Sequence, residues 1–167
     1  LFIFLINKMR FFKLDGVSKK QLSGIFVLKV GFGFVLYYIY TRYYPDRSTA
    51  DIFKFFDDSQ YMYDALFTKP GDFFRMLFSI GNDTAHFDDM YYSKMMNWYR
   101  EFENNVYNDS HTIIRFNAVL RIFSFGHYHV HTIFMCFLSL VGLTGIYRAF
   151  SGAFAKQHVF FAASVFL

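Results

Sequence analysis

The sequence predicts an all-α fold: a polytopic membrane protein fragment with two complete transmembrane helices, the start of a third, and a large helical non-cytoplasmic loop. Three observations predict it. Of 167 residues, 54% are hydrophobic and 24% aromatic, with 26 Phe and 13 Tyr, a composition soluble domains of this length rarely carry. Two apolar runs, Gln21–Tyr40 and Tyr128–Phe150, are each long enough to cross a hydrocarbon core of about 30 Å. Between these runs, from Asp46 to Asp109, lie 12 of the 13 acidic residues.

In chain order, residues 1–20 read as a cytoplasmic basic segment. Leu1–Ile6 is apolar but too short to span, so it is either the end of an upstream helix or an interfacial anchor. Lys8, Arg10, Lys13, Lys19 and Lys20 follow the positive-inside rule. The first span, 21–44, ends in an aromatic belt of Tyr37, Tyr38, Tyr40, Tyr43 and Tyr44, and Pro45 stops it. Gly31 and Gly33 would let another helix approach closely. Lys29 lies inside this span. It is either a functional intramembrane charge, or a side chain that snorkels or pairs with a helix outside this sequence.

Residues 45–127 form the non-cytoplasmic loop, too long and too patterned for a mere connector. Its first helix, Thr49–Leu66, divides on a helical wheel. Ile52, Phe55, Phe56, Met62, Tyr63 and Leu66 fall on one side. Asp51, Asp57, Asp58 and Asp64 fall on the other, with Lys54 and Tyr61. Such a helix is expected to lie flat on a membrane with its carboxylates up. Lys69-Pro70-Gly71-Asp72 reads as a turn before a short helix over 73–80. Gly81–Thr84 is a second turn, and 87–103 reads as an amphipathic helix N-capped by Asp88 or Asp89. A third interfacial helix covers 111–125, and Gly126 marks a corner. The second span is 128–150. Residues 151–157 form a cytoplasmic loop, carrying Lys156 just beyond Arg148, and 158–167 opens the third span. The chain begins with Leu and ends inside the apolar run HVFFAASVFL, so the remainder of the same polypeptide is an expected partner, with the lipid bilayer.

The net charge of +4 excludes little by itself, but its placement argues against nucleic acid, because the basic residues flank an apolar span instead of forming one face. Cys136 is the only cysteine, which excludes disulfides and cysteine metal sites within the chain.

Several side chains are candidates for chemistry, each with a plainer alternative. Adjacent Asp57 and Asp58 repel, so one can be held protonated or bind a cation; otherwise they make a solvated acidic face. His86 with Asp88 and Asp89 has the donors for a divalent metal, although helix capping accounts equally well for the aspartates. His127-Tyr128-His129-Val130-His131 would make a zinc face in a strand. In a helix only His127 and His131 share a side, and headgroup-level polar residues explain the run. Arg115 and Arg121 border the second span, either holding phosphate through the guanidinium fork or pairing with the acidic loop.

The order of these parts resembles a known plan: a first span, a large outer loop with an early acidic motif, and an arginine-bearing interfacial helix leading into the second span. With the wording RSTADIFKFFDDSQYMYDAL and HTIIRFNAVLRIFSFGHYHVHTIFMCFLSLVGL, residues 21–167 resemble the N-terminal portion of the GT-C class of polytopic glycosyltransferases, which includes the protein mannosyltransferases and bacterial relatives. The resemblance implies a polyprenyl-phosphate-linked sugar donor and transfer on the outer face of a bacterial inner membrane. It implies Asp57 and Asp58 for the acidic motif, Arg115 or Arg121 with Tyr61 beside the lipid phosphate, and in some members a divalent metal ion. One departure is visible: Asp57-Asp58-Ser59-Gln60-Tyr61 stands where family members commonly show Asp-Glu and an aromatic. From a different class, the chain reads as a noncatalytic subunit for polysaccharide transport, polymerisation or export, or as a membrane scaffold.

Overall fold

A computed structural model describes residues 1–44, 46–47, 50–99, 109–153 and 158–166. It is all-helical, with no strand among the described residues. The α-helices are α1 (Phe2–Lys8), α2 (Lys19–Tyr43), α3 (Asp51–Thr68), α4 (Pro70–Phe78), α5 (Ala85–Met90), α6 (Ser110–Ser124), α7 (Tyr128–Phe150) and α8 (His158–Phe166). Two, α2 and α7, are long and apolar enough to cross a membrane. α8 has nine described residues, about 13 Å of helix, shorter than a hydrocarbon core is thick. The expectations for Pro45, for the end of the 87–103 helix and for Lys156 lie outside the described residues.

The chain divides into two compact units, Leu1–Tyr37 with Thr132–Leu167, and Tyr38–His131. In the first, α2 and α7 run antiparallel, and only one of the two glycines expected at a close approach is used. A Cβ on Gly33 would stand 2.7 Å from Thr132 Cγ2, whereas one on Gly31 would meet nothing within 4 Å. Gly33→Leu is therefore expected to lower the melting temperature in detergent clearly, while Gly31→Leu leaves it near the parent value. Equal effects in a thermal melt would remove Gly33 from this contact. Lys29 finds a partner inside the chain, donating to Ser139 Oγ at 3.2 Å.

The first twenty residues do more than carry charge. Ile6 and Phe12 are fully buried with Leu22, Phe26, Leu140 and Tyr147. Tyr147 donates its hydroxyl to the Asp15 carbonyl at 2.6 Å, and Arg148 donates to the Phe11 carbonyl at 3.2 Å. The N-terminal basic segment and the C-terminal end of α7 thus share one end of this unit.

The second unit packs α3 against α4 and, most extensively, against α6. Its core holds Met62, Ala65, Phe73, Met76, Phe87, Trp98, Ile114 and Ala118. α3 propagates because nothing between Asp51 and Thr68 breaks it; Lys69, ahead of a proline, leaves helical geometry (φ −143°, ψ 74°). The turn expected at Pro70-Gly71 is instead the first turn of α4. Proline at the opening position has its φ preset and sacrifices no helical hydrogen bond. The 87–103 helix is also corrected. α5 opens at Ala85 after Thr84, so neither Asp88 nor Asp89 is the N-cap, and it gives way to a 3₁₀ turn over Tyr92–Lys94. The Gly126 corner is present: Phe125 (φ 51°) and Gly126 (φ 75°) are both left-handed, and Gly126 N–H closes onto the Arg121 carbonyl at 3.2 Å.

Candidate functional site

The packing of α3 on α6 corrects the helical-wheel reading. The buried side chains of α3 are Phe53, Phe56, Asp58, Ser59, Met62 and Ala65. Asp58, expected among upturned carboxylates, is 0% exposed. A bare carboxylate would not be stable there. It is tolerated because Oδ1 accepts from Met96 N–H (2.7 Å), and Oδ2 accepts from Asn97 N–H and Asn97 Nδ2 (both 2.9 Å). Those donors lie 38 and 39 residues away in sequence, so a wheel of α3 alone could not anticipate them.

Asp57, the preceding residue, faces partly outward. Its carboxylate receives a two-pronged contact from Arg47, Nε to Oδ2 at 2.5 Å and Nη2 to Oδ1 at 2.8 Å. The Arg47 guanidinium also lies over the Phe53 ring, 4.1 Å from its centroid.

Arg121 comes from α6 and is buried, 2% exposed. Its three nitrogens are all used: Nε donates to Ser59 Oγ at 3.1 Å, Nη1 to Gln60 Oε1, and Nη2 to the Phe56 carbonyl. Its plane covers the Phe56 ring at 3.7 Å. Burial lowers its pKa to about 10, with Asp57 and Asp64 acting in the opposite sense, so it remains a cation at neutral pH. Behind it, Asn117 Nδ2 donates to the Ile113 carbonyl (2.8 Å), which orients the amide so that Oδ1 accepts from His131 Nε2 (2.9 Å). His131 Nδ1 then faces the Ser124 hydroxyl at 3.3 Å. His131 is buried against Phe56, whereas His127 and His129 are exposed.

Beside Asp57, Asp58 and Arg121 lies a cavity of about 470 Å³ lined by them with Phe56, Gln60, Tyr61, Lys94, Met96 and Gly126. The structure therefore brings together Asp57, Asp58, Tyr61 and Arg121, four of the residues singled out above. Arg115 is not among them; it donates to the Met76 carbonyl at 2.8 Å and lies over Trp98. Lys94 is an addition that sequence reading missed, because nothing in YYSKMMNW marks it apart from an ordinary surface lysine.

His86, Asp88 and Asp89 do not gather into a metal site. His86 pairs with Asp72 at 2.8 Å, and Tyr91 donates to the same carboxylate at 3.0 Å. Burial acts to raise the Asp72 pKa, but the bonds from His86 and Tyr91 outweigh it and hold the carboxyl below its usual value. Tyr91 is pushed up to about 12 by burial and by Asp72. Asp88 accepts from Tyr99, whose pKa rises to about 12 through burial and that bond. No group of three His, Cys, Asp or Glu side chains suited to a metal ion occurs among the described residues.

Trp98, the only tryptophan, is stacked between Tyr92 (4.0 Å) and His111 (3.9 Å), and its carbonyl faces His111 Nε2 at 2.6 Å. Burial holds the His111 pKa below 6.5, with Arg115 acting in the same sense; the bond to the Trp98 carbonyl and Asp83 oppose but do not reverse it. The folded state therefore binds fewer protons than the unfolded chain. Stability from this site is present above pH 6.5 and is lost as pH falls below it towards the folded pKa. Trp98 emission is expected to shift red in the parent as pH falls below 6.5 towards the folded pKa, and not in His111→Phe. A parent acid titration that superimposes on that of His111→Phe would refute this.

The chain matches no family model, no curated protein and no solved structure.

Proposed function

We propose that the protein is an integral membrane glycosyltransferase, moving a sugar from a polyprenyl-phosphate-linked donor to an acceptor hydroxyl on the non-cytoplasmic face. The observation that carries this reading is a cavity in which a partly exposed carboxylate, Asp57, faces the same space as two cationic side chains, Lys94 and Arg121. A volume of about 470 Å³ is of the size that small-molecule sites use. Chain order puts this unit between α2 and α7, the two helices able to cross a membrane. Val27, Leu28, Phe32, Val35 and Leu36 of α2 are exposed, as suits side chains that meet lipid. The cell is taken to be bacterial and the membrane its inner one, with 45–127 outside the cytoplasm and 158–167 opening a third span.

In this reaction the acceptor hydroxyl oxygen attacks the anomeric carbon while the carbon–oxygen bond to phosphate breaks. The hydroxyl proton passes to the Asp57 carboxylate, and polyprenyl phosphate leaves carrying the electron pair. Arg47 holds the Asp57 carboxylate in place through its two-pronged contact before substrate arrives. Asp58, saturated by three donors, is assigned to holding the site together. Arg121 is assigned to fastening α6 to α3. Neither is the base. The test is sugar transfer in proteoliposomes from lipid-linked donors, comparing the parent with Asp57→Asn.

A further inference from the structure

We infer that Lys94 is the side chain that meets the phosphoryl group of the ligand in this cavity, and that Asp58 is the positioning residue that docks the Lys94 turn onto α3. The inference rests on the reading of the cavity as a site for a polyprenyl-phosphate-linked donor, and it names the contact within it.

The argument is one of which charges are already committed. Four charged side chains line the cavity. Asp57 already has Arg47 as its partner through a two-pronged contact. Asp58 is fully buried and accepts from two backbone N–H groups and an amide. Arg121 has each of its nitrogens on an α3 oxygen and a ring against its face, and at 2% exposure little of its fork is within reach of a ligand. Lys94 differs from all three. Its side chain is exposed, its ammonium donates to the Met90 carbonyl at 2.9 Å, and two further N–H bonds remain for a ligand. No carboxylate stands within ion-pair distance of it among the described residues. An ammonium is a compact point charge, which suits a phosphoryl oxygen without demanding one approach angle.

Asp58 sets where that ammonium stands. Lys94 closes the 3₁₀ turn, Met95 is buried, and the next two backbone N–H groups end on the Asp58 carboxylate. The lysine is thus two residues from a fixed point on the cavity floor. Tyr61 and exposed Met96 add an apolar border where a prenyl chain can leave the phosphate.

The test is equilibrium binding of radiolabelled, sugar-free polyprenyl phosphate to the protein in lipid nanodiscs, with inorganic phosphate measured separately. Lys94→Ala, on an exposed side chain that the fold does not need, is expected to weaken binding about tenfold or more, the loss of one charge-assisted hydrogen bond. Lys94→Arg is expected to restore most of it. Asp58→Asn is expected to weaken binding similarly and to cause no further loss when Lys94 is already alanine, which a merely structural effect would not produce. Binding of the lipid alone identifies a lipid headgroup as the ligand. Lys94-dependent binding of inorganic phosphate at similar affinity identifies a free phosphate, and both results support the phosphoryl contact. Parent-like binding by Lys94→Ala, or no binding of either probe by the parent, overturns it. Lys94-dependent binding without any sugar transfer would sink the transferase reading and leave this contact standing.

Discussion

Asp57→Asn is expected to lower sugar transfer by about 10²- to 10⁴-fold, the usual worth of a positioned general base, with expression, membrane insertion and thermal stability close to the parent. The substitution is mild structurally, since Asp57 is partly exposed and the asparagine oxygen can still accept from Arg47. What it removes is the basic oxygen that takes the acceptor proton. Asp58→Asn is the informative companion. An amide NH₂ there would face the N–H groups of Met96 or Asn97, donor against donor, so it should lower stability as well as rate. The pair separates chemistry from placement. Transfer unchanged in Asp57→Asn would remove Asp57 from the reaction. A rate loss in both that tracked lost stability alone would remove the acid–base assignment altogether.

Arg121→Met is expected to destabilise the unit formed by residues 38–131 by about 3 kcal/mol or more. Methionine fills much of the volume but leaves Ser59 Oγ, Gln60 Oε1 and the Phe56 carbonyl without their donor, and an unsatisfied buried polar group costs about 1–3 kcal/mol. Two of those acceptors are buried with Arg121, so water does not readily replace the guanidinium. Denaturant unfolding followed by Trp98 emission measures the change within the same unit. Arg121→Lys should recover only part of the loss, because a single ammonium cannot reach three acceptors arranged for a planar fork. A parent-like midpoint in Arg121→Met would show that the α6–α3 contact does not depend on this residue, and the arginine would then be open to a ligand role.

The elements that depend on neighbouring residues alone were legible in the sequence. α7 covers Tyr128–Phe150, the run of apolar side chains that predicts it, and α2 extends the predicted apolar run at both ends. Both signals are local sums of hydrophobicity over about twenty residues. The corner at Gly126 was readable from its glycine, although not the left-handed φ that Phe125 takes beside it. Pro70 shows the limit of such punctuation: the same residue that breaks a helix interior opens one, and only the helix that follows decides between them.

The site was half legible for a related reason. The family resemblance implied Asp57 and Asp58 with Tyr61 and either Arg115 or Arg121, and the cavity holds Asp57, Asp58, Tyr61 and Arg121 but not Arg115. Which aspartate points inward did not follow, because Asp58 is buried only where two backbone amides from residues 96 and 97 arrive to receive it. Arg115 and Arg121, six positions apart on one helix, looked equivalent, and packing alone sent one to Met76 and the other to Phe56. Lys94 joined the cavity through the same long-range closure. By itself the sequence determined the two long apolar helices and the corner at Gly126, since each depends on a short window of side chains, but not the start of α4 at Pro70 or the break after Met90. The tertiary structure alone decided which charges are buried, satisfied or open to a ligand, since the burial of a charge depends on donors and acceptors brought from tens of residues away.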